Sequence, residues 1–146
     1  MSCWDVLERR SRAERDKAAE VVAEVRKRLQ DQQTLCDRTQ GIAEQYQKKI
    51  RITQSSVTHF GDIQLYRTSL KQMQQAVAFI RTQIAALELE LKRKQQMLTQ
   101  TEMERQKYQK LIEREKEQVA KLLAHQEARE LDDIGGQMRY RRSKLA

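Results

Sequence analysis

Two histidines, two cysteines and a few adjacent carboxylates are the residues in this chain whose types suggest catalysis or metal binding. His59 and His125 are the side chains able to shuttle protons near neutral pH unaided, but they fall on different parts of the chain and read as turn or solvated histidines. Cys3 and Cys36 are far apart, and neither belongs to a Cys-x-x-Cys pair or a His/Cys cluster. Their spacing indicates neither a metal site nor a disulfide framework. Cys36 falls on an apolar stripe and reads as a small buried hydrophobe. The pairs Glu102/Glu104 and Asp132/Asp133 are too close in sequence to share a helix face. A Gly-rich phosphate loop is lacking, so the chain is not expected to hydrolyse nucleotide. The residues predict no catalytic centre, no metal and no cofactor: not an enzyme.

Charge comes next. The net charge is +8, which favours acidic surfaces, nucleic acid or anionic lipid as partners. Most basic residues alternate with acids, as in Glu113-Arg114-Glu115-Lys116-Glu117, the pattern of a solvated helix face. The purely basic cluster is Arg139-Tyr140-Arg141-Arg142-Ser143-Lys144. Dispersed cations without a recognition module argue against a nucleic-acid partner, whose binding would weaken steeply with salt. There is no apolar run of transmembrane length and no visible secretory signal, so a cytoplasmic location is expected.

The elements that must carry these residues are helices. The 146 residues include no proline and four glycines, so the residues that preset turns are scarce. Gln, Lys, Arg, Glu, Ala and Leu lose little rotamer freedom in a helix. An apolar content of 38% is low for a thick core but sufficient for one stripe per helix. Helix one is expected over about 2–54, where Ser2 and Asp5 have the spacing of a capping box. Its stripe alternates steps of three and four: Ala18, Val22, Val25, Leu29, Gln32, Cys36, Thr39, Ala43, Tyr46, Ile50. That spacing keeps one face toward a supercoiled partner. The stripe is weak: upstream only Trp4 and Leu7 are large and apolar, and Gly41 suggests a close approach or a soft point.

Residues 55–62, with small polar and β-branched residues, Gly61 and a possible N-cap at Asp62, are expected to form the turn. Helix two is expected over 63–136. Ile63, Tyr66, Leu70, Met73, Val77, Ile80, Ile84, Leu87 and Leu91 keep the three-four spacing without a miss, and it continues through Lys94, Leu98, Thr101, Arg105, Tyr108, Ile112, Glu115, Val119 and Leu122. A run this long indicates a coiled coil. Charges enter beyond Leu91, so pairing should be tightest near the turn. Gly135-Gly136 should end the helix, leaving a basic tail over 137–146. The whole predicts an all-α, antiparallel two-helix coiled-coil hairpin forming one domain. The turn signals favour a monomeric hairpin over a parallel dimer of one continuous helix. Tyr46 and Tyr66 fall near the turn, where stripe residues are half exposed and suit a partner site.

The C-terminal third narrows the reading. The segment Glu104-Arg105-Gln106-Lys107-Tyr108-Gln109-Lys110-Leu111-Ile112-Glu113-Arg114, followed by Gln126-Glu127-Ala128-Arg129-Glu130-Leu131-Asp132-Asp133-Ile134, resembles the flagellar export protein FliJ family. Its pattern is a basic E-x-x-K-x-x-x-L segment, then an E-x-K-E-(L/M)-D-E signature before a short basic tail. Arg129 stands in place of the usual lysine, and Gly135-Gly136 interrupts the usual continuation. The resemblance implies a soluble component of the flagellar type III export apparatus, similar to the central stalk of rotary ATP synthases. The implied partners are the export ATPase and its regulator, the cytoplasmic domain of the export-gate membrane protein, and export chaperones. The implied place is the cytoplasmic face of the inner membrane at the flagellar base. For gate binding the resemblance points to Leu35, Thr39, Ile42 and Tyr46 on helix one and Tyr66, Leu70, Met73 and Val77 on helix two. For the ATPase ring, Arg105, Lys107, Lys110, Arg114 and Lys121 are candidates, since cations steer onto an acidic ring lumen. The equivalent stalk of a virulence secretion system and a generic structural coiled coil are the alternatives.

Overall fold

A computed structural model describes residues 3–55 and 60–145, all of them helical. Helix α1 runs Cys3–Ser55 and helix α2 runs Phe60–Leu145. They pack against each other as an antiparallel hairpin. The chain divides into two units, one of Arg15–Gln100 and one joining Met1–Glu14 to Thr101–Ala146.

In the Arg15–Gln100 unit the three-four stripes meet face to face. On α1, Val22, Val25, Cys36, Ala43 and Ile50 are buried, with Val25 at 0% exposure. Ala18, Leu29, Gln32, Thr39 and Tyr46 are half-buried between them. On α2, Val77 and Ile80 are buried and pack with Cys36, with Ile84 alongside. Every stripe residue from Ile63 to Leu98 is buried or half-buried. Each seam side chain meets two helices, and the apolar area so removed from water is the main stabilising term, about 25 cal/mol per Å2. Ion pairs such as Arg28–Glu90, at 3.5 Å and well exposed, add little. Gln32 is the weak layer, its Oε1 buried without a hydrogen-bond partner among the described residues.

The tightest packing is not where the stripe predicts it. Ile63, Tyr66, Leu70 and Met73, nearest the turn on α2, are half-buried, and full burial on α2 begins at Val77. A two-helix seam covers long side chains on one side only, so small and β-branched residues bury most completely.

The Met1–Glu14 and Thr101–Ala146 unit has a different seam. Trp4 meets Tyr108, ring centroids 6.3 Å apart, but the buried residues on α1 are Glu8 and Ser11. The Glu8 carboxylate accepts from Arg12 Nη2 at 2.6 Å and Nε at 3.1 Å. On α2, Thr101, Arg105, Tyr108, Ile112 and Glu115 are half-buried, and residues 116–145 are exposed apart from half-buried Gly135. Val119 and Leu122, expected in the seam, are exposed, at 50% and 63%.

Two boundaries and the reading of one glycine need correction. Helix α2 starts at Phe60, so Asp62 lies inside its first turn, where a carboxylate favours the helix dipole. It also runs through Gly135-Gly136 to Leu145, so the expected basic tail is helical. No glycine among the described residues takes positive φ; each glycine costs about 1 kcal/mol against alanine, which strong helix formers on both sides offset. Gly41 marks neither a close approach nor a break, since α1 continues through it and a Cβ there would meet nothing within 4 Å. The expected turn centre, including His59, and the capping residue Ser2 lie outside the described residues.

Candidate partner-binding surfaces

The eight gate candidates fall into three groups in the Arg15–Gln100 unit. Leu35 and Ile42 are 46% and 44% exposed. Seven residues apart on α1, they share a face that is open to solvent. Thr39, Leu70 and Met73 are half-buried in the seam, and the Thr39 hydroxyl donates to the Leu35 carbonyl at 2.8 Å. Val77 is part of the buried cluster with Cys36 and Ile80. It holds the hairpin together and has little surface to offer.

Tyr46 and Tyr66 are the pair that the fold brings together. Their rings lie 5.7 Å apart at 54°, a tilted geometry that aromatic quadrupoles favour. Lys49 Nζ lies 5.4 Å from the Tyr46 centroid and 5.9 Å from that of Tyr66. One ammonium thus serves both rings, each contact worth about 0.5–1 kcal/mol at a half-exposed site. The result is a half-buried aromatic platform with a cation at its edge. The sequence pointed to both tyrosines but not to Lys49, whose i, i+3 spacing from Tyr46 was the available signal.

The ATPase candidates lie in the other unit. Lys107, Lys110, Arg114 and Lys121 are exposed. Their spacings of three, four and seven put all four on one face of α2. Arg105 differs. It is half-buried at a seam position, where Nη2 donates to Glu102 at 2.6 Å and Nη1 to Gln109 at 3.0 Å. Its charge is already partnered, so it belongs with the seam and not with the exposed cations. Glu102, which the sequence offers only as half of a carboxylate pair, is the residue that holds it.

Exposed apolar residues that sequence patterning did not single out include Phe60, Leu65 and Phe79 in the first unit and Leu131, Ile134 and Met138 in the second. They lie off the seam stripe, so the stripe gave no signal for them. No helix among the described residues is long and apolar enough to cross a membrane.

The family model of the flagellar FliJ protein matches residues 5–145. The chain belongs to the flagellar FliJ protein family. The match takes in nearly all of α1 and α2, including the stretch of α2 beyond Glu115. The FliJ family is a component of flagellar protein export and is not a family of enzymes. No curated protein and no solved structure matches the chain.

Proposed function

We propose that this protein is a central-stalk-like adaptor of flagellar type III export. It binds the export ATPase ring and promotes its assembly. It also couples the ring to the cytoplasmic domain of the export gate and to export chaperones. It works without catalysis of its own, in the cytoplasm, peripherally held at the inner membrane beneath the flagellum. The observation that carries this reading is the family match over nearly the whole chain. That family is flagellar, which favours a flagellar stalk over that of a virulence secretion system.

The physical features are compatible with two separate contacts. An aromatic platform at Tyr46 and Tyr66, with exposed Leu35 and Ile42 on the same helix as Tyr46, suits an apolar gate surface. The face of Lys107, Lys110, Arg114 and Lys121 suits an acidic ring lumen. The test is a titration of the cognate export ATPase with this protein, reading turnover and ring assembly. Stimulation that saturates with added protein is expected. A flat titration with both proteins folded would sink the proposal.

A further inference from the structure

The charges of this chain are unevenly spread. Between Glu44 and Glu88 the sequence holds six cations, Lys48, Lys49, Arg51, Arg67, Lys71 and Arg81, and one acid, Asp62. These 43 residues of the 146 carry five of the eight net positive charges. They form the turn end of the Arg15–Gln100 unit. Lys48, Lys49, Arg51, Arg67 and Lys71 are all exposed.

Two apolar side chains stand ahead of these cations. Ile52 is 68% and Phe60 75% exposed. Each lies six residues toward the turn from the packed pair of Tyr46 and Tyr66. At 1.5 Å per residue they therefore share one level, about 9 Å beyond the rings. Lys48 and Lys49 follow Ile52 at four and three residues, and Arg67 and Lys71 follow Phe60 at seven and eleven. Each apolar side chain thus leads cations along its own face. Lys48, Lys49 and Arg51 also fan over about 160° of the α1 surface. The sequence between Arg51 and Asp62 holds no Lys, Arg, Asp or Glu. Asp62 is in the first turn of α2, where the helix dipole offsets its charge.

We infer that the turn end of the hairpin docks directly, end-on, on an anionic lipid surface. Ile52 and Phe60 enter the boundary between headgroups and acyl chains, a depth that exposed apolar side chains of surface-bound helices reach. Lys48, Lys49, Arg51, Arg67 and Lys71 meet the headgroup phosphates, Arg51 by reaching back along its aliphatic stem. Each cation held near such a surface strengthens binding by about fivefold. A nucleic-acid backbone would use the cations but has no place for Ile52 and Phe60. A planar film meets the end of a rod from every side, which suits apolar groups at one level on both helices and cations fanned behind them. None of these residues is a gate or ATPase candidate. The inference stands apart from the export reading, since vesicles without any protein partner test it. Its failure would leave the ATPase titration untouched.

The experiment is flotation of the full chain with vesicles of phosphatidylcholine, with and without phosphatidylglycerol. The chain should float with the phosphatidylglycerol vesicles, less so as salt rises, and stay behind with phosphatidylcholine alone. Ile52→Ser with Phe60→Ser should weaken partitioning about tenfold or more. Replacing Lys48, Arg51, Arg67 and Lys71 together by Gln should weaken it about a hundredfold or more. All six residues are exposed, so far-UV helicity should hold. Replacing Arg26, Lys27, Lys92 and Arg93 by Gln removes the same charge from exposed positions away from the turn and should leave flotation as in the parent. No flotation, or equal loss in the two charge variants, would overturn the proposal. So would serine variants that float like the parent, or tight binding to duplex DNA without flotation, which would assign the basic end to nucleic acid.

Discussion

Val25 is the residue on which the seam of the Arg15–Gln100 unit leans most, being fully buried. Val25→Ala removes two methyl groups and should destabilise the protein by about 1.5–2 kcal/mol, read as a lower urea midpoint by far-UV circular dichroism. Leu35→Ala, at an exposed position of the same helix, should leave that midpoint almost unchanged. Tyr46 and Tyr66 stand between these extremes. Replacing both with Ala should weaken binding to the gate's cytoplasmic domain at least tenfold, roughly a hot-spot loss, while helicity is nearly kept. A collapse of helicity instead would place the two rings in the core. Residue by residue, the seam was legible wherever apolar side chains marked it. The Ala18–Ile50 and Ile63–Glu115 stripes are buried or half-buried throughout. Glu8 and Ser11 were not legible, because they continue the same three-four spacing with polar side chains. A pattern search built on apolarity passes over a seam position that holds a carboxylate.

At the scale of the helix, the two elements were legible because proline is absent and turn residues cluster once. Their ends were harder to read. A Gly-Gly pair favours a C-cap when the chain must turn away, but nothing after Gly136 forces a turn: residues 137–145 are good helix formers apart from Tyr140 and Ser143. Gly41 gives the cleanest check of how propensity and packing divide the work in α1. It lies mid-helix with open space where a Cβ would go. Gly41→Ala should therefore raise stability by about 1 kcal/mol, measured as a higher urea midpoint with an unchanged slope. A loss of stability there would mean that a neighbour moves into that space.

The whole molecule carries an excess of positive charge, yet its placement matters more than its sum. Only part of the candidate site could be read from sequence. The spacing put Lys107, Lys110, Arg114 and Lys121 on one face, but Arg105 looked equivalent to them until its bonds to Glu102 and Gln109 were seen. Reversing the four exposed cations to Glu should slow association with the export ATPase by about tenfold or more at low salt, and by less at high salt. Arg105→Ala should instead act on stability, leaving the salt dependence of association as it was. Stopped-flow association rates across a salt series separate the two.

The exposure of residues 116–145 also bears on the time a backbone hydrogen bond survives. In the seam, an amide opens only when apolar packing is disrupted with it. Past Glu115 every described residue but Gly135 is exposed, and a helix held chiefly by its own propensity is marginal in water. Amides there should exchange with solvent through local fraying, far faster than those around Val25. Any partner that grips this stretch must first hold it helical, so its affinity contains the free energy of that ordering as well as the contacts it makes.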